Sequence, residues 1–258
     1  MAKKIDYESY HEKDYRSDLS GFEIARWDAL SHFIPKQVTK NKNQYILDYG
    51  AGTGLHIELW KNLFPESNIF LTDISAAGRS KCLSNHKDFK GKYELIKNKR
   101  SEFESEKFDI ILSIEVMEHV SDLISYLEDI FRLLKPGGIF IWTTPCGNLL
   151  SIEHIYSLLS NQIIKTSEGY IKWKWEDPTH LRRLKSKEIE KKLILTGFSK
   201  VKFRFRAHIF SFLCTYLPPR NRFHKIRNNL MKMDYNYFRL LPNGASMIGK
   251  AIKPKPGF

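Results

Sequence analysis

Four side chains offer the clearest chemistry in this chain: Glu115, Glu118, His119 and His180. Glu118 and His119 follow Glu115 by three and four residues, so a helical turn begun at the end of a strand would set all three on one face. His180 would approach the same place from a separate loop. Two carboxylates and two imidazoles suit a divalent cation such as Mg²⁺ or Mn²⁺. A cation there would hold a reacting oxygen and its neighbour, lower a hydroxyl pKa and fix the line of attack. Without a metal, His119 or His180 could act as general base beside Glu118. A structural reading also stands, in which Glu118 and His119 brace a helix start and His180 fixes its loop.

A second constellation lies upstream. Tyr45-Ile-Leu-Asp48 is a short apolar run ending in an acid, and Tyr49 leads into Gly50, Gly52 and Gly54 at alternate positions. Apolar residues then continue at helical spacing from Ile57 to Leu63. The pattern reads as a buried strand, a tight glycine turn and a helix, where a ligand can lie against bare backbone. The glycine that a pyrophosphate fingerprint requires three residues after the second is missing; Leu55 stands there. A nucleoside without pyrophosphate, such as S-adenosylmethionine, needs only close approach and a nearby carboxylate. Asp73, ending the apolar run Asn68–Asp73, is placed to accept ribose hydroxyls. It could instead cap the next helix, and Asp48 could simply brace the glycine turn.

These residues need a scaffold, and the hydrophobic periodicity supplies one. Strands are expected at about 45–49, 68–73, 93–97, 108–115, 138–144, 199–206 and 245–252. Helices are expected at about 21–34, 54–63, 76–85, 121–134 and 185–196, the first stopped by Pro35. Strands alternating with helices predict a parallel sheet with right-handed crossovers. Pro136-Gly137-Gly138 reads as the turn from a helix into the following strand.

In order, these motifs resemble the class I S-adenosylmethionine-dependent methyltransferases. The resemblance continues through Phe108-Asp-Ile-Ile-Leu-Ser-Ile-Glu-Val116, Met117-Glu-His-Val120 and Leu134–Pro145. It resumes at Asp177-Pro-Thr-His-Leu-Arg182 and Glu188–Phe198, covering roughly residues 44 to 206. It implies an α/β fold: a Rossmann-like, seven-stranded, mostly parallel sheet with helices on both faces, an antiparallel last strand and inserted cap segments. It implies S-adenosyl-L-methionine as cofactor, held by Asp48, Tyr49, Gly50, Gly52 and Asp73, with Asn98 near the adenine. Arg26 and Tyr10 are expected to close over the methionine end. Glu115, Glu118, His119 and His180 match the pattern of metal-dependent members, including ubiquinone-biosynthesis O-methyltransferases and small-RNA 2′-O-methyltransferases.

The organisation expected is an N-terminal arm and helix over 1–40, a core over 41–206 with an insertion at about 146–184, a basic aromatic cap over 207–244, and a last strand and tail over 245–258. Residues 199–258 hold 13 Lys or Arg against one acid, Asp234, while the preceding 198 residues hold 29 basic and 28 acidic side chains. The basic excess could steer an anionic partner or be a solvated strand face, as the alternation of Lys200, Lys202, Arg204 and Arg206 with apolar residues suggests. Three scattered cysteines and no apolar run of membrane-spanning length point to a reducing, cytoplasmic setting, with peripheral membrane contact as an option.

The Asp-Pro-Thr-His-Leu-Arg segment resembles methyltransferases of surface-polysaccharide and glycolipid pathways. That implies O-methylation of a sugar, glycan or other polyhydroxylated metabolite, phosphate-bearing or lipid-linked. A quinone or phenol acceptor is the alternative, its pocket drawing on Trp142, Trp173 and Trp175. RNA 2′-O-methylation lacks a recognisable RNA-binding module, and nucleic acid is not expected as a partner. A cofactor-binding pseudo-enzyme is the non-enzymatic reading.

Overall fold

The structure is a computed structural model that describes residues 21–166, 170–214, 217 and 223–257. The central sheet contains β1 (Tyr45–Tyr49), β2 (Asn68–Asp73), β3 (Tyr93–Lys97), β4 (Arg100–Ser101), β5 (Phe108–Ile114) and β6 (Leu134–Pro145). Past β7 (Ile163–Lys165) and β8 (Ile171–Trp173), a separate two-stranded hairpin, it is completed by β9 (Ser199–Arg206) and β10 (Ser246–Ile252). The order across it is β4-β3-β2-β1-β5-β6-β10-β9. Strands β3, β2, β1, β5 and β6 run parallel, and β10 is antiparallel to both β6 and β9.

Eight strands stand where seven were expected. The extra one, β4, arises because Asn98 and Lys99 both take positive φ, 50° and 64°, and fold the chain straight back on β3. Two consecutive left-handed residues are what a tight hairpin turn requires.

The helices are α1 (Gly21–Phe33), α2 (Lys36–Thr39), α3 (Ile57–Leu63), α4 (Ala76–Asn85), α5 (Leu123–Leu133), α6 (Ile152–Leu159), α7 (Ser186–Thr196), α8 (Ile209–Leu213) and α9 (His224–Phe238). Local chemistry sets their ends. Ser75 and Asp122 accept backbone N–H groups at the starts of α4 and α5, and Gly197, with φ 104°, closes α7. The sheet buries two apolar layers. One unites Leu47, Ile111, Phe140 and Trp142 with α5 and α7; the other unites Ile46, Leu71, Leu112 and Ile248 with α1 and α3.

Segment 146–184 contributes α6 and the β7–β8 hairpin. Segment 207–244 contributes α8 and α9, and α9 packs along α1. No helix among the described residues is long and apolar enough to cross a membrane.

Candidate active site

A cavity of about 600 Å³ opens at the C-terminal ends of β1, β2 and β5, where neighbouring strands lead their connections to opposite faces. Open α/β sheets bind ligands at that point. Tyr49, Gly50, Gly52 and Asp73 line it. Gly50 has φ 88°, and a Cβ there would lie 2.4 Å from a Val116 methyl carbon, so only glycine fits. The Asp73 carboxylate accepts the Gly52 N–H at 2.9 Å and the Ser75 N–H at 2.9 Å. It thereby ties the glycine turn to the end of β2 at the cavity wall. Tyr49 lines the wall while its hydroxyl donates to Asp129 at 3.1 Å.

Two expected cofactor residues sit elsewhere. Asp48 does not line the cavity: it is buried behind the turn, where it accepts the Trp60 Nε1–H at 2.7 Å. Burial pushes its carboxyl up to about 7, opposed by the Trp60 hydrogen bond and reinforced by the Asp73 charge. Asn98 is exposed in the β3–β4 turn, and its neighbours Ile96 and Lys99 face the cavity instead. Arg26 does line it, whereas Tyr10 lies outside the described residues.

The second constellation converges in part. One donor atom each from Glu118, His119 and His180 lies within 4.8 Å of the other two. Glu118 and His119 sit on a single 3-10 turn, Met117–His119. His180 is brought in by segment 146–184: the Leu181 N–H donates to the Glu118 carbonyl at 2.8 Å, and Arg182 donates to the Val120 carbonyl at 3.1 Å.

Glu115 is not a member of this cluster. Its φ is 54°, a left-handed residue between β5 and the turn, so the three-and-four spacing no longer sets it on the same face. Its carboxylate instead takes the Thr143 hydroxyl at 2.8 Å and the Arg26 guanidinium at 3.3 Å. Burial opposes its charge, but Arg26, Thr143 and Arg206 together hold it below the usual glutamate range.

The electrostatics of the cluster are uneven. Burial, with Glu115 adding to it, pushes the Glu118 carboxyl up to about 8. One Glu118 oxygen accepts the Thr144 hydroxyl at 2.9 Å; the other, Oε1, is buried without a hydrogen-bond partner. Burial and the neighbouring His180 press the His119 imidazole down to about 4. Burial works against the charged form of His180 too, but Glu176, Glu118 and Glu115 outweigh it and raise its pKa. His119 Nδ1 is 3.2 Å from the Thr179 carbonyl and 3.1 Å from its hydroxyl, which in turn donates to Asp177 at 2.6 Å. With Nδ1 so held, Nε2 is the nitrogen that a metal or a proton would use. An orphaned carboxylate oxygen beside two imidazoles fits a divalent cation.

Two cavity residues, His56 and Arg183, carried no signal at the sequence level. His56 lies between Trp27 and Trp60, and burial, then Arg26, push its pKa down to about 3. Arg183 pairs with Glu176 and with Glu153, and donates to the Ala245 carbonyl, locking segment 146–184 to the start of β10. Trp175 is half exposed at the cavity wall, with its Nε1–H on the Ser157 hydroxyl. Trp142 and Trp173, expected to share that role, are fully buried and do not line the cavity. Arg206 was expected on a solvated strand face. Only Lys200 and Lys202 are fully exposed; Arg206 is buried, and its pKa falls to about 10 through burial and Arg26.

The methyltransferase domain family matches residues 19–202. A ubiquinone biosynthesis O-methyltransferase of Maricaulis maris is 36% identical over 105 residues, covering 38% of this chain and 39% of that protein. A malonyl-[acyl-carrier protein] O-methyltransferase of Calditerrivibrio nitroreducens is 31% identical over 100 residues, 38% of this chain and 37% of the other. The chain thus spans well under half the length of these two relatives. Among solved structures, Haemonchus contortus phosphoethanolamine N-methyltransferase 2 with S-adenosyl-L-methionine superposes with a TM-score of 0.58 at 16% identity, over 97% of this chain and 60% of that one. An S-adenosylmethionine-dependent methyltransferase of Mesorhizobium loti gives 0.56 at 17%, over 90% and 100%. At such identities the likeness is one of fold.

Proposed function

The chain belongs to the class I S-adenosylmethionine-dependent methyltransferases, and from that premise we propose that it methylates a hydroxyl oxygen that has a second oxygen beside it. The observation that carries this reading is the convergence of Glu118, His119 and His180 within 4.8 Å, the two imidazoles lining the cavity that the glycine turn also lines and Glu118 buried next to them.

Gly50, Gly52 and Asp73 would hold the cofactor, the carboxylate facing its ribose. Bound S-adenosylmethionine supplies an electrophilic methyl group on sulfur. The protein's own work lies at the acceptor. As the O–CH₃ bond forms and the S–CH₃ bond breaks, the hydroxyl proton must leave, and His119 Nε2 can take it because burial keeps that imidazole neutral. His180, which lines the cavity beside His119, would orient the same oxygen, with Glu118 buried next to the two imidazoles. If a divalent cation is instead held by Glu118, His119 and His180, His119 Nε2 would be a ligand rather than the base, and the cation would supply Lewis acidity toward both oxygens, letting the hydroxyl release its proton to solvent.

Vicinal oxygens occur in sugars and in catechols. The sugar or related polyhydroxylated acceptor, phosphate-bearing or lipid-linked, remains the first reading. The quinone or phenol acceptor is the second, favoured by half-exposed Trp175 and by the name of the Maricaulis maris relative.

Calorimetric titration of Mn²⁺ into protein loaded with S-adenosylhomocysteine tests the cluster, with Glu118→Ala and His180→Ala alongside. Saturable binding lost in both variants supports it. Absence of binding to the wild type removes the metal and leaves His119 as base. Turnover of a catechol compared with that of sugar nucleotides then separates the two acceptors.

A further inference from the structure

Two helices in this molecule face the wrong way for a soluble surface. On α6, Ser157 is fully buried while Leu158 and Leu159 are 63% and 83% exposed, with Ile155 exposed on the same side. On α8, Ser211 is buried while Ile209 and Leu213 are about half exposed, at 47% and 49%. In a helix that belongs only to a core, the apolar stripe turns inward. Here the small polar residues turn inward and the aliphatic ones turn out.

The two helices touch one another, with the Tyr156 and Phe212 rings 6.0 Å apart, so their outward residues form one face. Contiguous apolar surface of that kind marks a docking site rather than the scattered exposure found on any protein.

Charge tells what docks there. Among the described residues of segments 146–184 and 207–244, every largely exposed charged side chain is basic: Lys165, Lys174, Lys225 and Lys232, the last paired with Asp28. The acids described there are held in pairs or hydrogen bonds, with Glu153 partly exposed. Glu153 and Glu176 pair with Arg183, and Asp177 accepts the Thr179 hydroxyl. Asp234 is spent on the backbone N–H groups of His208, Phe210 and Ser211 and on the His208 ring. Lys174 donates to the Asn161 carbonyl just past the end of α6, and Lys165 follows in β7; Lys225 lies on α9, which packs on α8. An aliphatic centre flanked by lysines, whose acids among the described residues are paired or hydrogen-bonded, complements the interface of an anionic bilayer, where apolar side chains enter the acyl boundary and ammonium groups meet phosphates.

We propose that the α6–α8 face docks on an anionic lipid bilayer. Trp175, which lines the cavity, is hydrogen-bonded to Ser157 on the inner side of α6, so docking sets the cavity mouth one helix away from the membrane surface. This inference rests on the surface alone and does not depend on the methyl acceptor.

Flotation of the full chain with vesicles of equal parts phosphatidylcholine and phosphatidylglycerol tests it, with phosphatidylcholine vesicles as reference. The wild type should float with the anionic vesicles and scarcely with the neutral ones. Leu158→Glu/Leu159→Glu should weaken binding about tenfold or more, because two aliphatic side chains no longer enter the bilayer. Lys165→Glu/Lys225→Glu should weaken it by about tenfold as well, and added salt should do the same. All four positions are exposed, so thermal melts should match the wild type; Leu158→Ser/Leu159→Ser serves if they do not. No flotation with anionic vesicles, or equal flotation of wild type and leucine variants, would overturn the proposal. So would a dimer in sedimentation velocity that the leucine substitutions split, since the face would then belong to a second copy.

Discussion

The Arg26 guanidinium meets the Glu115 carboxylate at 3.3 Å and so ties α1 to the C-terminal end of β5 across the cavity. Arg206, buried at the end of β9, faces the same carboxylate. One acid therefore serves two guanidiniums, and the two sides of the pair are not equivalent.

Arg26→Ala leaves Arg206 opposite Glu115, whereas Glu115→Gln removes the acid that stands between two guanidiniums and leaves the weaker attraction of Asp234 on the Arg206 side. Glu115→Gln should therefore cost more stability, on the order of 3 kcal/mol against about 1 for Arg26→Ala, since it leaves two buried like charges with less compensation. Urea denaturation of both variants and of the double mutant measures the difference. Equal costs would mean that Arg206 does not use Glu115.

Thr179 links Asp177 to the Nδ1 edge of His119 through its hydroxyl. Thr179→Val keeps the shape and the carbonyl contact but removes that link. It should weaken Mn²⁺ binding by about tenfold, as outer partners of ligating imidazoles commonly do, and Thr179→Ser should restore it. Unchanged affinity in the valine variant would show that the carbonyl alone orients the ring.

The sheet was legible because its signals are local. Apolar runs at 45–49, 68–73, 93–97 and 199–206 end where the strands end, since turn residues stop each one. The glycine turn and Asp73 could be read for the same reason. Glu115 was misread as a ligand because spacing assumes one continuous helical turn, and a left-handed residue breaks it. Asp48 and Asn98 were misread because type and position in the chain do not say which side of a turn a side chain faces. His56, Arg183 and the outward faces of α6 and α8 depend on contacts between distant segments, and no local pattern encodes those.

Trp173 and Trp175 are two residues apart on opposite sides of one chain segment. Trp173 is fully buried against the Arg183 guanidinium; Trp175 is half exposed at the cavity. Trp173→Ala should lower unfolding free energy by about 3–5 kcal/mol through the cavity it leaves. Trp175→Ala should leave the melting temperature nearly unchanged and raise the KM of a cyclic acceptor by about tenfold, the worth of one ring contact. A Trp175 variant with unaltered KM for both sugar and catechol acceptors would remove it from acceptor recognition.

Asp48 gives the protein a pH dependence whose sign is opposite to that of an ion-paired acid. Its ordinary value is 3.8, and burial behind the glycine turn raises it to about 7 in the folded chain. Between those values the folded state holds a proton that the unfolded state has released. Folding stability from this group is therefore complete below about pH 4 and declines as pH rises toward 7. Asp48→Asn keeps an oxygen to accept the Trp60 Nε1–H and removes the ionisation. The variant should match the wild type near pH 4 and exceed it near pH 7 by on the order of 2–4 kcal/mol. Urea denaturation of both proteins across that interval reads the difference directly. A gap that stays flat with pH would mean that Asp48 is ionised in the folded protein throughout, paired through the Trp60 hydrogen bond, and that the turn is braced by a charge rather than by a neutral carboxyl.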